Sequence, residues 1–170
     1  MQTVQTLLSH RSQADRRLLL FTKPARPGRV KTRLIGDLTP LQAADLHGAF
    51  LEDLLERLQG GSFDLRIAWA LDDGDELPGG PVPGLRQEGA GLGERLFGAL
   101  SGAAREVALE TGHRGAVMAL GSDHPTLPLE LVHHAFERVE AGAEVVLGPA
   151  EDGGYYLIAL GAGAVAPRLF

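Results

Sequence analysis

The chain of 170 residues contains no cysteine, and this absence limits its chemistry. Without cysteine there is no disulfide framework, no thiolate metal site and no cysteine nucleophile. No apolar run approaches the ~20 residues that span a bilayer, and the N-terminal segment lacks the apolar stretch of a signal peptide. A net charge of −6 argues against general nucleic-acid binding, which needs a basic face. The sequence therefore predicts a cytoplasmic protein that binds neither nucleic acid nor membrane.

Lysine is nearly absent as well, and its two occurrences lie close together. Lys23 and Lys31 fall in the segment 21–33, which directly follows the apolar run 18–21. The same segment adds three arginines: Arg26, Arg29 and Arg33. Five cations at the exit of a buried strand, in an otherwise acidic chain, indicate an anion site, and phosphate is the obvious anion. The alternative is a solvated basic loop, the common outcome for a run of charges.

Strand and helix patterns alternate along the chain. Strands are predicted over 18–21, 63–71, 115–120, 145–147 and 155–160. Helices are predicted from Pro40, with Thr39 as N-cap, to Gly60-Gly61, then over 92–110 and 128–139. This alternation favours a single Rossmann-like, doubly wound α/β domain with a mostly parallel sheet and helices on both faces. Residues 1–16 are predicted to form a flexible leader, and residues 17–170 the domain.

The basic loop is one of four motifs at or near predicted strand exits, where such sheets bind ligands. Its segment Gly28-Arg-Val-Lys-Thr32 differs from a Walker A loop, because Val30 stands where that motif needs glycine before the lysine. Side-chain charge and backbone amides would therefore hold the phosphates. A glycine-rich segment, 86–95, leads into a helix and is a second, weaker candidate for a base or phosphate contact.

Two acidic motifs complete this set. Asp123, in Gly121-Ser-Asp-His-Pro125, presents one carboxylate at a strand end, which suits Mg²⁺ that completes its shell with phosphate and water. An aspartate that caps the next turn is the alternative. In the segment 148–157, Asp152 is the candidate for contact with a metal, a sugar hydroxyl or a nucleophile, and the alternative is a turn with buried tyrosines.

Other polar residues receive a structural interpretation. His47 is expected at the edge of the first amphipathic helix. The acidic segment 72–76 is expected to be a solvated turn, because Pro83 stands where the twelfth position of a calcium loop needs glutamate. Trp69 lies in a predicted strand and is expected in the core.

The four motifs together resemble the bacterial radical-SAM/selenodomain-associated transferases, a group long described as a domain of unknown function. The resemblance covers residues 17–170 in order, and rests on four segments: 21–34, 92–95, 121–127 and 148–158. That group is placed in the nucleotide-diphospho-sugar transferase (GT-A) superfamily. The chain is more distantly similar to 2-phospholactate guanylyltransferases, through Lys31-Thr-Arg-Leu34, and to molybdenum-cofactor nucleotidyltransferases, through the Asp-x-Pro of Asp123.

The resemblance implies roles for individual residues. Lys23, Lys31 and Arg33 would hold a nucleotide diphosphate, within a loop that includes Gly28 and Thr32. Asp123 would bind Mg²⁺ or Mn²⁺, Gln87 and Gly93 would contact the base, and Asp152 would face the acceptor, so that Lys31, Arg33 and Asp152 form the predicted catalytic set. Family members continue with a further helix-bearing segment, which this chain is predicted to lack. Many GT-A enzymes also carry Asp-x-Asp, whereas Ser122-Asp123-His124 supplies one carboxylate.

Three functions remain open at the level of sequence. The resemblance favours a metal-dependent glycosyltransferase-like enzyme with a nucleotide-sugar donor and a small-molecule acceptor of unknown identity. The single-carboxylate site favours nucleotidylyl transfer from a nucleoside triphosphate, with release of pyrophosphate. A catalytically silent nucleotide-binding module is the third alternative. One cationic loop would serve all three, and the oligomeric state is left open.

Overall fold

The computed structural model describes residues 13–170. Residues 1–12, most of the predicted leader, lie outside the described residues. The remainder of that leader forms the short 3₁₀ helix Gln13–Asp15 and the first residue of a strand. Within the described part of the chain, no helix is both long enough and apolar enough to cross a membrane.

A six-stranded sheet forms the centre of the protein. Its strands are β1 (Arg16–Thr22), β2 (Asp64–Trp69), β3 (Gly84–Arg86), β4 (Ala116–Gly121), β5 (Val145–Pro149) and β6 (Tyr155–Gly161). The order across the sheet is β3-β2-β1-β4-β6-β5. The pairs β3–β2, β2–β1 and β1–β4 are parallel, whereas β6 runs antiparallel to both β4 and β5. The mostly parallel sheet is confirmed. The short edge strand β3 was not predicted, because three residues beside a Pro/Gly-rich connection carry no period.

Three helices cover the sheet: α1 (Pro40–Leu58), α2 (Leu92–Thr111) and α3 (Leu129–Glu140). The predicted start of α1 is confirmed by a capping box, in which Thr39 Oγ1 accepts from the Gln42 N–H and the Gln42 side chain accepts from the Thr39 N–H. At the C-terminal end of α2, Gly112 adopts φ 75°, the left-handed conformation in which glycine ends a helix.

The core lies on both faces of the sheet. Leu18 and Leu20 of β1 face α1 and α3, whereas Leu19 faces α2. This alternation follows from the period of two along a strand, and it explains why β1 reads as a continuous apolar run. Trp69 is buried on the α1–α3 side, as predicted. The helices therefore occupy both faces, as the doubly wound pattern requires.

The winding reverses between β1 and β4. The chain passes from β1 through α1 to β2 on one face, then returns through α2 to β4 on the other face. The connections that leave β1 and enter β4 thus lie on opposite faces. This leaves a crevice at the carboxyl ends of these two strands, the usual ligand position in open α/β sheets.

A buried arginine joins the sheet to α2. The Arg17 side chain is 1% exposed and its guanidinium lies 2.7 Å from Asp64, 2.6 Å from Glu106 and 2.7 Å from Glu110. All three carboxylates are partly exposed to solvent, whereas the Arg17 guanidinium has almost no contact with water. Burying it is tolerable only because these carboxylates neutralise it.

We expect Arg17→Ala to destabilise the fold by about 3 kcal/mol, because three neighbouring carboxylates lose their common cation and the side-chain volume is lost. Urea denaturation measures the change. Arg105→Ala, on an exposed face of α2, is the matched control and should change the free energy of unfolding by less than about 0.5 kcal/mol. Equal effects of the two substitutions would contradict a structural role for the network.

Candidate functional site

A cleft of about 860 Å³ opens at the carboxyl ends of β1, β2 and β4. One wall comes from the end of β1 and the basic loop, another from the end of β4, and a third from the start of α2. Six of the predicted site residues line it: Lys23, Lys31, Thr32, Arg33, Gln87 and Asp123. The topology thus brings together the loop, the lone aspartate and the glycine-rich segment, which lie far apart in sequence.

Lys31 is held more tightly than a loop lysine usually is. Its Nζ donates to Asp123 Oδ1 at 2.7 Å and lies 4.6 Å from the centre of the Phe50 ring, and the side chain is only 14% exposed. Its backbone is left-handed, with φ 47°, an unfavourable conformation for a residue with a Cβ. Among the described residues it is the only non-glycine with positive φ. The Lys31 backbone is therefore strained in the conformation that places its Nζ beside Asp123.

Asp123 carries the carboxylate of the cleft, and its side chain is 70% exposed. Partial burial opposes its charged form, but the hydrogen bond and the charge of Lys31, with smaller contributions from His47 and His124, outweigh this and lower the pKa of Asp123. The carboxylate is thus ionised at neutral pH. The stability that it contributes is present above the ordinary aspartate pKa and is lost as pH falls through the lower folded value.

Besides Lys31, two more of the five loop cations form ion pairs within the protein. Arg26 donates to Asp75 at 2.7 Å, and Arg29 donates to Asp72. The acidic turn at 72–76 is largely exposed, as expected, and it is also the partner of the basic loop. Sequence spacing could not reveal the pairing, because β2 brings the turn beside the loop only in the folded sheet.

Other cations of the cleft are free of such pairing. In the described part of the chain, Lys23, Arg33 and Arg95 form no ion pair with a carboxylate, and all three side chains line the cleft. Arg95 was not among the predicted site residues; its Nε donates to the Gly89 carbonyl at 2.9 Å. Positive charge therefore exceeds the single negative charge of Asp123 in this cleft, as is expected of an anion site.

Gln87 directly follows the edge strand β3 and lies beside the end of β2. Its Nε2 donates to the carbonyls of Ala68, at 2.7 Å, and Thr22, at 3.3 Å. Both amide hydrogens are used by the sheet, so the amide offers the cleft an acceptor oxygen. A ligand group that binds there must be a hydrogen-bond donor.

Three predicted residues lie outside the lining of this cleft. Gly28, with φ 75°, borders a smaller cavity of about 440 Å³ beside the cleft. Gly93 packs against the C-terminal residue, because a Cβ there would lie 2.6 Å from the Phe170 carbonyl oxygen; Gly91 and Leu92 take the predicted place in the lining. Asp152 lies on the exposed turn between β5 and β6, where its Oδ1 accepts from the Gly154 N–H at 3.0 Å.

His47 corrects a further expectation. Instead of lying at the edge of α1, it is 5% exposed and lines the cleft. Its Nε2 lies 3.0 Å from the Lys23 carbonyl oxygen and 3.3 Å from Thr22 Oγ1. A single histidine within an amphipathic pattern carries no signal of this contact, which depends on how α1 packs across the end of β1.

The donor set limits how a metal could be held. Among residues 13–170, no three His, Cys, Asp or Glu side chains come together as a metal cage. Asp123 alone fits an ion that takes one protein carboxylate and completes its shell with phosphate oxygens and water, as Mg²⁺ does. The residues therefore fit a cation that arrives with a phosphate ligand, and do not fit a permanently bound structural metal.

The mostly parallel α/β fold matches that of a nucleotide-diphospho-sugar transferase. A crystal structure of a protein from Desulfovibrio desulfuricans G20, whose assignment as a nucleotide-diphospho-sugar transferase is itself provisional, matches with a TM-score of 0.78 and 34% identity over 91% of this chain and 67% of the relative. A 4-diphosphocytidyl-2C-methyl-D-erythritol synthase has a TM-score of 0.52 and 14% identity over 87% of this chain and 75% of its own, and this match shows the fold alone.

The chain belongs to DUF2064, a family of uncharacterized proteins conserved in bacteria, which matches residues 61–170. No curated protein matches the chain. The family match includes Asp123 and Asp152 and begins after the basic loop. The match to the Desulfovibrio structure extends over most of the chain.

The pairing of loop and turn can be tested through one carboxyl group. The hydrogen bond from Arg26 is the main cause that lowers the pKa of Asp75. We expect Arg26→Ala to raise that pKa toward the ordinary aspartate value, measured by carbon NMR titration of the carboxyl. Arg29→Ala is the control, since Arg29 contacts Asp72 instead. A larger rise in the control than in Arg26→Ala would contradict the pairing.

Proposed function

We propose that this protein is a metal-dependent, glycosyltransferase-like enzyme that uses a nucleotide-diphospho-sugar donor. The observation that carries the proposal is the Lys31–Asp123 pair at the centre of the cleft. A ligand that separates this pair must supply an anion for Lys31 and a cation for Asp123. A metal–diphosphate supplies both at once, whereas a free phosphate or a free metal would leave one of the two charges unmatched.

The remaining residues fit the parts of such a donor. Lys23, Arg33 and Arg95 surround the phosphates with charge that no carboxylate of the described chain neutralises. Thr32 begins the short helix after Lys31 and lines the cleft beside them, while Gly28 allows the preceding turn of the loop. Gln87 offers its amide oxygen to a donor group of the base.

The chemistry follows from where negative charge develops. When the bond between the sugar carbon and the diphosphate oxygen breaks, the nucleoside diphosphate leaves with added negative charge. Lys31 and Arg33 stabilise that charge. Mg²⁺ or Mn²⁺, held by Asp123 and the phosphates, would supply further neutralisation of the leaving group. The acceptor oxygen forms the new bond to the sugar carbon. Asp152 lies outside the cleft lining, on the turn that leads into β6 beside the carboxyl end of β4, and its carboxylate would take the acceptor proton.

Nucleotidylyl transfer is the second candidate, and the single carboxylate favours it. Asp123 stands without a second aspartate in Ser122-Asp-His124, where many glycosyltransferases of this fold have Asp-x-Asp. In that reaction the acceptor phosphate attacks the α-phosphorus of a nucleoside triphosphate and pyrophosphate leaves.

We also propose that the chain is a member of the radical-SAM/selenodomain-associated transferases, because it shares the four segments described above with that group.

Binding of the donor tests the proposal. Isothermal titration calorimetry with a panel of nucleoside diphosphates, triphosphates and nucleotide sugars, with and without Mn²⁺, should give metal-dependent binding of a diphosphate or nucleotide sugar. Asp123→Asn should remove the metal dependence, whereas Lys31→Ala should weaken binding about 10- to 100-fold with or without metal, the loss expected for a charged hydrogen bond.

Other outcomes of that titration have definite meanings. Binding of triphosphates alone would favour nucleotidylyl transfer. Metal-independent binding that Asp123→Asn leaves unchanged, with no turnover, would favour a silent binding module. Leu109→Ala, on the exposed face of α2, is the control variant and should bind as the wild type does.

The role of Asp152 is tested by a substitution that keeps its turn. Asp152→Asn retains the oxygen that accepts from the Gly154 N–H, so the turn and donor binding should be unchanged. Loss of the proton-accepting carboxylate should lower kcat by about 100-fold or more, the range of general-base contributions. Unchanged kcat would assign Asp152 to turn structure alone.

A further inference from the structure

Beneath the cleft lies a buried polar network that connects three parts of the fold. Ser122 Oγ donates to Thr22 Oγ1 at 2.9 Å, and Thr22 Oγ1 lies 3.3 Å from His47 Nε2. These three side chains are 6%, 5% and 5% exposed, respectively. They come from the segment after β4, the end of β1 and the middle of α1. The network therefore joins the two central strands to one helix at the point where the winding reverses.

The position of His47 is unusual for a polar residue. The buried stripe of α1 is formed by Ala43, Ala44, Leu51, Leu54 and Leu58, and residue 47 falls within it at helical spacing. An apolar side chain would fill that place with no desolvation cost, whereas an imidazole must find hydrogen bonds there. The choice of histidine at an apolar position therefore needs a reason other than packing.

One arrangement of hydrogens satisfies the whole network. The Lys23 carbonyl can only accept, so the His47 Nε2 that lies 3.0 Å from it donates. Thr22 Oγ1 then accepts from Ser122, and its own hydrogen points to the same carbonyl at 3.4 Å. The peptide carbonyl of Lys23 thus receives both the imidazole and the threonine hydroxyl, and it is fixed from two sides.

Two residues that the proposed function uses, Lys23 and Asp123, directly follow residues of this network. β1 and β4 pair in parallel with Phe21 opposite Gly121, and the Ser122 N–H donates to the Phe21 carbonyl at 3.2 Å. The residues two places beyond this pair are Lys23 and Asp123, and both line the cleft. Thr22 directly precedes the lysine, and Ser122 directly precedes the aspartate. A hydrogen bond between their hydroxyls therefore controls how far the two charged residues can move apart.

We propose that Thr22, His47 and Ser122 are positioning residues that fix the spacing of Lys23 and Asp123, and so hold the diphosphate-binding cation and the metal-binding carboxylate in one geometry. The inference has two parts. The structural half states that the network restrains the ends of β1 and β4, and it is independent of any ligand. The functional half states that this restraint affects ligand binding, and it rests on the proposed function.

The structural half is tested on the ligand-free protein. His47→Leu suits the apolar stripe of α1, so we expect the melting temperature to be retained, while hydrogen exchange of segments 21–24 and 121–125 becomes about five- to tenfold faster through loss of restraining hydrogen bonds. Thr22→Val, which keeps the shape and removes the hydroxyl, should do the same. His133→Leu, at a half-buried position of α3 against Phe63, is the matched control and should leave both segments unchanged.

The functional half uses inorganic pyrophosphate and Mn²⁺ as probes. In the wild type, Mn²⁺ should tighten pyrophosphate binding, measured by calorimetry. His47→Leu should reduce this tightening about five- to tenfold, and His47→Gln, which keeps an N–H donor, should restore part of it. On an Asp123→Ala background the metal dependence is already lost, so His47→Leu should leave the remaining pyrophosphate affinity unchanged, whereas a general structural defect would lower it.

The outcomes separate the two ideas. Unchanged exchange at both segments in His47→Leu and Thr22→Val would overturn the positioning network, whatever the protein binds. Equal losses of pyrophosphate affinity from His47→Leu in the presence and absence of Asp123 would also overturn the positioning network, since the effect would then not depend on the Asp123 carboxylate. If exchange rises as expected but the wild type binds no pyrophosphate with Mn²⁺, the network stands as a restraint and the proposed function fails.

Discussion

The parallel pairing of β1 with β4 is the constraint on which the rest of the site depends. Because the connections of these strands lie on opposite faces of the sheet, a crevice is left at their carboxyl ends, and the cleft forms there. Because Phe21 lies opposite Gly121, the residues that follow them, Thr22 and Ser122, come together and their hydroxyls form a hydrogen bond. A shift of this register by one residue would turn every side chain of β1 to the other face and separate the two groups.

The charge of the basic loop is smaller than its composition suggests. Arg26 and Arg29 are engaged by Asp72 and Asp75, which reach the loop from the end of β2. These pairs are exposed, and exposed pairs contribute little to stability, so their effect is on the position of the loop more than on the fold. Internal carboxylates thus hold the outer part of the loop in place, while Lys31, Lys23 and Arg33 remain directed at the cleft.

Much of the fold could be predicted from the sequence, because it rests on local patterns. The apolar run of β1, the capping residues Thr39 and Pro40 and the period of α1 each specify their element from neighbours in the chain. The edge strand β3 escaped prediction, since its three residues are too few for a period. The gathering of Lys31 and Asp123 in one cleft followed from the rule that places ligands at strand ends, whereas their direct contact did not follow from it.

The contacts that escaped prediction are those between residues far apart in sequence, and His47 shows why this matters. Leucine at position 47 would fit the amphipathic pattern of α1 equally well, so the pattern alone does not indicate a hydrogen-bond partner for His47. Only the packing of α1 across β1 gives its Nε2 the Lys23 carbonyl. A polar residue at a position that favours an apolar one departs from the local rule, and such departures are expected where a site must be held in shape. In this fold the departure lies directly under the charges that the cleft presents, so the same helix that builds the core also sets the geometry of the site.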